Sequence, residues 1–358
     1  MVKHILKKLL PRYLIDRIQV LREHIDIRIA SGASRSQWLS VLYYSICSAE
    51  FRREMHTVLL ARRRYYGARR GENPSSYLLR RNIHRLEKGL IMQPRRALFG
   101  EGYIVETLDY FGLCMRDGCL TAIELRWARS VLADYFSVVG HSEITDQARA
   151  IFDQLEVKSP DVINSSKSSP LSYASLPAVG VSFDDFAKLC ARRHSVRWFE
   201  AKPVSSELIN AAIDVAATAP SACNRQPFKF YVFDDPARAQ QIGAIPMGTA
   251  GFSHNFQSII VVVGDLSAYP FEKDRHIIYI DGGLAVMQLQ LALETQGLGS
   301  CAINWPDIDS HERLMAKELD LKPYQRPVML LAVGYPQKDA LVPYSAKKTA
   351  ADLIKRPK

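Results

Sequence analysis

A serine- and proline-rich stretch, residues 157–182, divides the sequence into two parts with different patterns. Serine and proline contribute little to a core, and proline interrupts helices, so this stretch predicts a linker. Apolar residues before it recur at helical spacing, whereas the residues after it alternate helical and strand-like patterns. We therefore predict a helical region over 1–156, a linker over 157–182 and a mixed helix-and-strand domain over 183–358.

The periodicity also predicts individual elements. Before the linker we find helical patterns and no strand, with helices expected over 14–29, 40–66, 104–115 and 121–139. After the linker we expect helices over 184–193, 206–218 and 280–296, and strands over 228–233, 258–263, 301–304 and 328–333. The run 258–263 is short, apolar and β-branched, which is typical of a buried strand.

Basic residues are concentrated in the first hundred residues, which hold 21 Lys and Arg against 7 Asp and Glu. The first helix is amphipathic, with Leu14, Ile18, Leu21 and Ile25 on one face and arginines between them. Such a helix either lies on an anionic membrane or packs its apolar stripe against the rest of the protein. We expect packing, because the apolar side chains need burial in either case. The arginine run 62–64 lacks interleaved aromatic residues, so we expect no specific nucleic-acid partner.

The cysteines and the charged residues near the N-terminus indicate the cellular compartment. The chain has 6 cysteines without C-x-x-C spacing, which favours a reducing compartment and no structural zinc site. Charged residues interrupt the N-terminal apolar runs before they reach the ~18 residues that a membrane span requires, and they leave no secretory signal. We expect a cytoplasmic protein, with peripheral membrane association as the alternative.

Three clusters of residues can carry chemistry. Arg193–Arg197 concentrates guanidinium, imidazole and hydroxyl groups after a helix, as a phosphate site requires, although a solvated basic patch explains the same residues. Between two prolines, Asn224 and Gln226 offer amides that suit a heterocycle edge, or form an ordinary polar turn. Gly297–Trp305 provides a glycine-rich turn into a strand, which alone indicates a helix end.

The ordered set of motifs resembles the nitroreductase family of flavoproteins. Arg-His-Ser-Val-Arg is followed by Ala-Pro-Ser-x-x-Asn-x-Gln-Pro, then Asp-Gly-Gly-Leu-Ala with Gly-Leu-Gly, and a late basic pair, within about residues 183–356. The resemblance implies an α+β fold with a central, mainly antiparallel sheet flanked by helices. It also implies FMN as cofactor, NADH or NADPH as hydride donor, and a homodimer with the flavin between subunits.

The resemblance further implies which residues bind the cofactor. They are Arg193, His194 and Ser195 for the phosphate and pyrimidine side, Arg197 near N1 and O2, Pro220, Ser221, Asn224 and Gln226 around the ring edge, Ile303 and Asn304 at N5, and Lys347 and Lys348 at the phosphate. No catalytic side chain is implied, because flavin N5 carries the chemistry near Asn304 and Trp305. A cation such as Arg197 would stabilise the reduced flavin.

Two departures from the family pattern concern the substrate. Asn304 and Trp305 stand where many relatives have an acidic residue and glycine, so Trp305 is expected to narrow or reshape the pocket. Phe228 stands where tryptophan is common. No Gly-x-Gly-x-x-Gly follows a strand, so a separate Rossmann site is not expected.

The motifs and the charge distribution lead to two functional hypotheses. The first is an FMN-dependent oxidoreductase that transfers hydride from NAD(P)H through flavin N5 to an organic acceptor, which is a nitro compound, a quinone or a specialised biosynthetic substrate. The alternative is a dimeric scaffold that keeps the flavin fold, with the basic first half binding a membrane surface or another anionic partner.

The segment Arg81–Leu90 is dense in functional groups. His84 and Glu87 are three residues apart and share a helix face, but one pair is too few ligands for a metal. A role in capping the site or binding a partner is one interpretation. We expect a plain helix with ion pairs that stops at Gly89.

Overall fold

The structure is a computed structural model that describes residues 11–155 and 168–357. By its internal contacts the chain divides into two compact units, residues 1–59 and 60–358. Most of the predicted linker's first half lies outside the described residues. Its described part, 168–182, has no regular secondary structure except one 3-10 turn at Tyr173–Ser175. The division into 1–156, 157–182 and 183–358 stays a prediction.

The first unit is helical, as the sequence predicts. The single helix expected over 40–66 is broken at residues 47–51, where the Ser48 hydroxyl accepts a hydrogen bond from the Glu50 amide and competes with helix continuation. The Tyr43 hydroxyl donates to Asp26 across 2.6 Å and ties the first two helices together. The helices are α1 (Arg12–Ala33), α2 (Gln37–Ile46) and α3 (Arg52–Arg69), which continues into the second unit.

Apolar side chains of α1 and α2 are exposed. Ile18, Leu21 and Ile25 are 40%, 61% and 50% exposed, and Trp38 is 84% exposed. The expected packing of the α1 stripe against the rest of the protein stays a prediction. The periodicity correctly predicted an amphipathic helix, but it did not determine what covers the apolar face.

The second unit begins with a helical core. Its buried residues come from five helices and include Ile83, Leu86, Leu108 and Tyr135, all shielded from solvent. No strand occurs in the described residues before the linker, as predicted. The helices that follow α3 here are α4 (Ser76–Leu90), α5 (Glu101–Asp117), α6 (Ala122–Val138) and α7 (Glu143–Gln154).

A four-stranded antiparallel sheet forms the centre of the C-terminal part. The predicted strands are confirmed, with extensions of a few residues at the ends of three of them. The strands are β1 (Phe228–Phe233), β2 (Ser258–Asp265), β3 (Gly299–Asn304) and β4 (Gln325–Gly334), in the order β1-β2-β4-β3.

Helices cover both faces of the sheet, which explains why β2 and β4 are almost continuously apolar. Ile259 and Ala332 pack on one face, whereas Ile260 and Leu331 pack on the other, as strand alternation requires. The helices are α8 (Phe183–Arg192), α9 (Ser206–Ala216), α10 (Pro236–Gly243), α11 (Ile277–Thr295), α12 (Asp309–Glu318) and the short α13 (Ala350–Leu353). The α+β architecture predicted for this part is confirmed.

Among the described residues, one segment is long and apolar enough to cross a membrane by length and composition. It is Glu272–Thr295, which contains α11, and half of its apolar window is buried. Leu289 and Leu293 of this helix pack with Ile260 in the sheet core, so burial in the domain accounts for its apolar character.

Candidate functional site

Four of the predicted phosphate-side residues line one cavity. Arg193, His194 and Ser195 meet Lys347 from the C-terminal segment, although 152 residues separate Ser195 from Lys347 (347 − 195). The cavity has a volume of about 370 Å³, and its other walls are Cys190, Ala191, Pro343, Tyr344, Ser345 and Ala346. Lys348 does not line it. Two cations and a hydroxyl around one cavity are suited to an anionic group.

The sheet holds this segment in place. Helix α8 ends at Arg192, and the next residues run beside β3, with Ser195 paired to Ser300 and the Val196 amide donating to the Ser300 carbonyl across 3.0 Å. Gly299 permits this approach, because a Cβ atom there would lie 2.8 Å from Cγ2 of Val196. The second glycine of Gly-Leu-Gly thus admits a neighbouring chain segment.

Arg193 carries an unsatisfied donor. Its Nε atom is buried and has no hydrogen-bond partner in the described structure. The preceding Arg192 differs, because its Nε atom pairs with Glu294 across 2.8 Å. A buried guanidinium nitrogen without a partner is costly unless a ligand completes it. The residues of this cavity therefore fit the phosphate of FMN.

Arg197 lies outside the lining of this cavity. It donates to the Ser195 carbonyl across 3.4 Å, and its guanidinium lies 5.7 Å from the ring centre of Phe252. Asn255 fixes the local backbone by donating to the Arg197 carbonyl across 2.9 Å. Burial raises the pKa of the nearby Cys301 thiol, while the positive charge of Arg197 opposes that rise. Arg197 is thus a fixed cation beside the start of β3.

The Pro220–Gln226 loop has an unusual backbone. Cys223, Asn224 and Gln226 have φ values of 54°, 50° and 49°, in the left-handed region that non-glycine residues rarely adopt. The Ala222 amide donates to Asp281 across 3.0 Å, and burial raises the pKa of that carboxyl group. Such a conformation persists only when its surroundings hold it.

Arg80 of α4 is one of those surroundings. Its Nε atom donates to the Asn224 carbonyl across 2.7 Å and one Nη atom donates to the Gln226 side chain across 2.7 Å. The other Nη atom pairs with Glu124 across 3.0 Å, and both side chains of this pair are largely buried. Burial would raise the pKa of Glu124, but hydrogen bonds from Thr121, Ser76 and Arg80 outweigh it and lower the pKa.

These contacts determine which loop groups remain available. The Gln226 amide is occupied, because it accepts from Arg80 and donates to the Ala217 carbonyl across 2.6 Å. The Ser221 hydroxyl accepts a hydrogen bond from the backbone N–H of Gln226 across 3.0 Å. The side chain of Asn224 forms no hydrogen bond within the described chain. Neither Pro220 nor any other residue of the loop lines the cavity beside Arg193.

The remaining predicted residues, at the end of β3, differ in their exposure to solvent. Ile303 is buried and Asn304 is exposed. Trp305 is only 8% exposed, packs in the sheet core and donates its indole N–H to Glu312 across 2.8 Å. The ring of Trp305 is turned into the core, and the expectation that it narrows or reshapes the pocket stays a prediction.

The Arg81–Leu90 segment is part of α4 and makes structural contacts. His84 Nδ1 lies 3.2 Å from Glu87, which also accepts from the Trp127 indole across 2.8 Å. The helix ends at Leu90, one residue after the expected stop at Gly89. A Cβ atom at Gly89 would lie 2.3 Å from the Phe99 ring. No group of three potential metal ligands occurs in the described part of the chain.

Sequence reasoning missed Arg80, Glu124 and Asp281. Arg80 adjoins the Arg81–Leu90 motif, but nothing in its spacing links it to Asn224, 144 residues away. Asp281 begins the Asp-Gly-Gly-Leu-Ala motif, which was used only for the resemblance. Long-range contacts of this kind leave no local pattern.

Comparison with known proteins finds similarity in the C-terminal part of the chain. The model of the nitroreductase family matches residues 190–252 and 244–335. YdgI of Bacillus subtilis strain 168, provisionally named an NAD(P)H nitroreductase, is 27% identical over 190 residues, which cover 43% of this chain and 90% of YdgI. The CLA biosynthesis enone reductase of Lactiplantibacillus plantarum is 32% identical over 115 residues, or 31% of this chain and 53% of the reductase.

A solved structure is also similar. It is a nitroreductase-type protein of Desulfovibrio desulfuricans in complex with FMN, with 24% sequence identity and a TM-score of 0.41. The match covers 48% of this chain and 96% of that protein.

Proposed function

Residues 190–335 belong to the nitroreductase family, and from that membership we propose that the protein is an FMN-dependent oxidoreductase. The observation that carries the proposal is the cavity in which Arg193, with its buried and unpartnered Nε atom, meets Lys347. Bound FMN would supply hydride transfer between NAD(P)H and an organic acceptor. The chain's own residues would bind and orient it.

Each residue group would have a separate task. Arg193, Ser195 and Lys347 would hold the phosphate through charge-assisted hydrogen bonds. Arg197, fixed by Asn255 and Phe252, would supply positive charge to the reduced ring and raise its potential. The unoccupied amide of Asn224 would contact the ring edge. The backbone at Ile303 and Asn304 would face the reacting nitrogen.

We propose a homodimer as the working form. The loop at Asn224 and the cavity at Arg193 share no lining residue, and a site between subunits would unite them. Apolar side chains near the cavity also remain uncovered: Phe183 of α8 is 83% exposed, and Tyr344 and Leu341 are 87% and 92% exposed. Exposed apolar residues in such number favour a subunit interface.

We also propose a chemical class for the electron acceptor and a cellular compartment for the protein. The names of the relatives include nitro-compound and enone reduction, so we propose a small conjugated organic acceptor, with nitro, quinone and biosynthetic substrates as candidates. The donor is NADH or NADPH. All 6 cysteines are free, which supports a cytoplasmic location.

Two adjacent arginines provide the test. Arg193→Gln should weaken FMN binding about 10- to 100-fold, because one charge-assisted hydrogen bond is worth about 1.5–3 kcal/mol. Arg192→Gln is the matched control and should leave FMN affinity unchanged, since Arg192 pairs with Glu294 outside the cavity. Flavin fluorescence titration measures both. Equal affinities in the two variants would reject the assignment.

A second candidate function is favoured by the exposed apolar residues of α1 and α2. Trp38 and Leu21 are 84% and 61% exposed, and Arg17 and Arg28 lie on the same helical stretch. These features support an adaptor that binds an anionic membrane surface. A purified protein that is colourless, takes up no FMN and binds anionic vesicles would favour this function over the first.

A further inference from the structure

A second cavity lies within residues 60–358, between the start of α4 and the edge strand β1. Its volume is about 490 Å³, within the range of small-molecule sites. It shares no lining residue with the cavity beside Arg193. Tyr77, Phe228, Phe230 and Tyr324 give it aromatic walls. Charged side chains also line the cavity, whereas a packing defect in a core would be lined by apolar side chains.

The balance of charges in this cavity is positive. Three arginines, Arg64, Arg80 and Arg225, and one lysine, Lys229, line it together with two carboxylates. Glu124 is already paired with Arg80. Asp265 accepts hydrogen bonds from Ser267 and Tyr77, and burial raises the pKa of its carboxyl group, which favours the neutral form. Neither of the two lining carboxylates therefore pairs with Arg64 or Arg225.

Arg225 is the more unusual of the two arginines. It is only 6% exposed, its Nε atom has no hydrogen-bond partner, and one Nη atom makes a long 3.4 Å bond to the Ala222 carbonyl. Its guanidinium lies 4.8 Å from the ring centre of Tyr269. No carboxylate in the described ranges 11–155 and 168–357 lies within ion-pair distance of it. Asp281 attracts Arg225 electrostatically but does not pair with it directly. The buried guanidinium therefore lacks a direct ion pair, and a ligand that supplies an anion would be bound favourably.

Arg64 presents its guanidinium differently. Its Nη atoms donate to the backbone carbonyls of Glu72 and Asn73, at 2.9 Å and 2.5 Å, and these bonds leave its charge without a carboxylate partner in the described structure. The turn therefore holds Arg64 in place at the cavity wall. Fixed cations and aromatic walls are the elements that recognise an aromatic or apolar molecule bearing one anionic group.

We propose that this cavity binds a small organic anion, with a carboxylate or phosphate held by Arg225 and Arg64 and an apolar body against the aromatic walls. The cavity shares no lining residue with the cavity beside Arg193, although Arg225 and Gln226 belong to the loop whose Asn224 is proposed to contact the flavin ring. The ligand would be a substrate or an effector, and its identity does not follow from hydride transfer by the flavin.

Isothermal titration calorimetry on the full-length protein, saturated with FMN, tests the proposal with four probes. These are benzoate, phenyl phosphate, inorganic phosphate and the uncharged benzamide. We expect saturable binding of benzoate or phenyl phosphate, weaker binding of inorganic phosphate and none of benzamide. The preferred anion distinguishes a carboxylate ligand from a phosphorylated one. Absence of saturable binding, or equal binding of benzamide, would overturn the proposal.

Variants then locate the bound anion. Arg225→Met and Arg64→Gln should each weaken binding at least ~10-fold, since each removes a charge-assisted contact, while Arg225→Lys should retain part of it. Arg63→Gln is the matched control, because Arg63 adjoins Arg64 but does not line the cavity. If Arg225→Met does not fold, Arg64→Gln decides alone. Unchanged binding in Arg64→Gln, or loss of binding in Arg193→Gln instead, would assign the anion elsewhere and reject the site.

Discussion

The Nε atom of Arg80 donates to the carbonyl oxygen of Asn224 across 2.7 Å and so joins α4 to the Pro220–Gln226 loop. The same guanidinium reaches Gln226 and Glu124, so one largely buried side chain connects a helix, a loop and a second helix. The loop's left-handed residues cost free energy that these contacts offset. The helical region before the linker thus fixes the backbone that presents Asn224.

Replacing Arg80 tests this connection. Arg80→Met should lower the free energy of unfolding by about 2 kcal/mol, because it removes hydrogen bonds from a charged group. It should also speed hydrogen exchange at residues 221–226 and weaken FMN binding about tenfold. Arg85→Met, which removes only a cation over the Tyr103 ring, is the control and should leave exchange in the loop unchanged. The exchange measurement applies to the apoprotein, so it stands even if FMN does not bind.

Glu124 should contribute to the pH dependence of stability. Burial would raise the pKa of its carboxyl group, but hydrogen bonds from Thr121, Ser76 and Arg80 bring it below the ordinary value of 4.5. A carboxyl group with a lowered pKa in the folded state stabilises the protein above its unfolded pKa, and this contribution is lost as the pH falls.

Urea unfolding of the protein and of Glu124→Gln, measured from pH 7 to pH 3, checks this expectation. The protein should be more stable than the variant at neutral pH, and the difference should shrink as the pH falls below 4.5. A difference that is constant over this range would show that the carboxylate charge is not the source of the stabilisation.

Gly299 should be indispensable for packing of the Arg193–Arg197 segment. A Cβ atom at this position would lie 2.8 Å from both Val196 and Pro336, so Gly299→Ala should cost about 1–3 kcal/mol of stability and weaken FMN binding. Gly297→Ala is the matched control. It has φ of +75° with open space around it, so it should cost about 1 kcal/mol and leave FMN affinity unchanged. Thermal unfolding and flavin titration measure both effects.

The elements that could be predicted from the sequence are those with a local pattern of apolar residues. Strand β1 was predicted with its observed bounds, because its aromatic and aliphatic run reflects partial burial at a sheet edge. The meeting of Arg193 with Lys347 followed only from the family resemblance, since no spacing links these residues. The bond between Arg80 and Asn224 and the burial of Trp305 depend on tertiary packing, which hydrophobic periodicity does not encode. For the same reason the pattern of α1 could not show that Ile18, Leu21 and Ile25 stay exposed.

The exposed faces of α1 and α2 lead to a prediction about membranes. Trp38 is 84% exposed, and arginines such as Arg17 and Arg28 occur along the same segment. An anionic surface attracts each arginine with about 1 kcal/mol, while insertion of apolar side chains adds affinity that salt does not screen. We expect the protein to bind vesicles that contain phosphatidylglycerol more tightly than vesicles of phosphatidylcholine alone.

Co-sedimentation of the full-length protein at two salt concentrations measures this difference. The Debye length falls from about 10 Å at 0.1 M salt to about 3 Å at 1 M, so the preference for anionic vesicles should largely disappear at high salt. The double variant Arg17→Gln, Arg28→Gln should bind anionic vesicles about 30-fold more weakly at low salt, as two lost attractions of about 1 kcal/mol require.

Trp38→Ser should weaken binding at both salt concentrations. Tyr173→Ser is the control, because Tyr173 is 90% exposed but lies outside α1 and α2. Binding that is equal for both vesicle types, or unaffected by all of these variants, would remove the second candidate function.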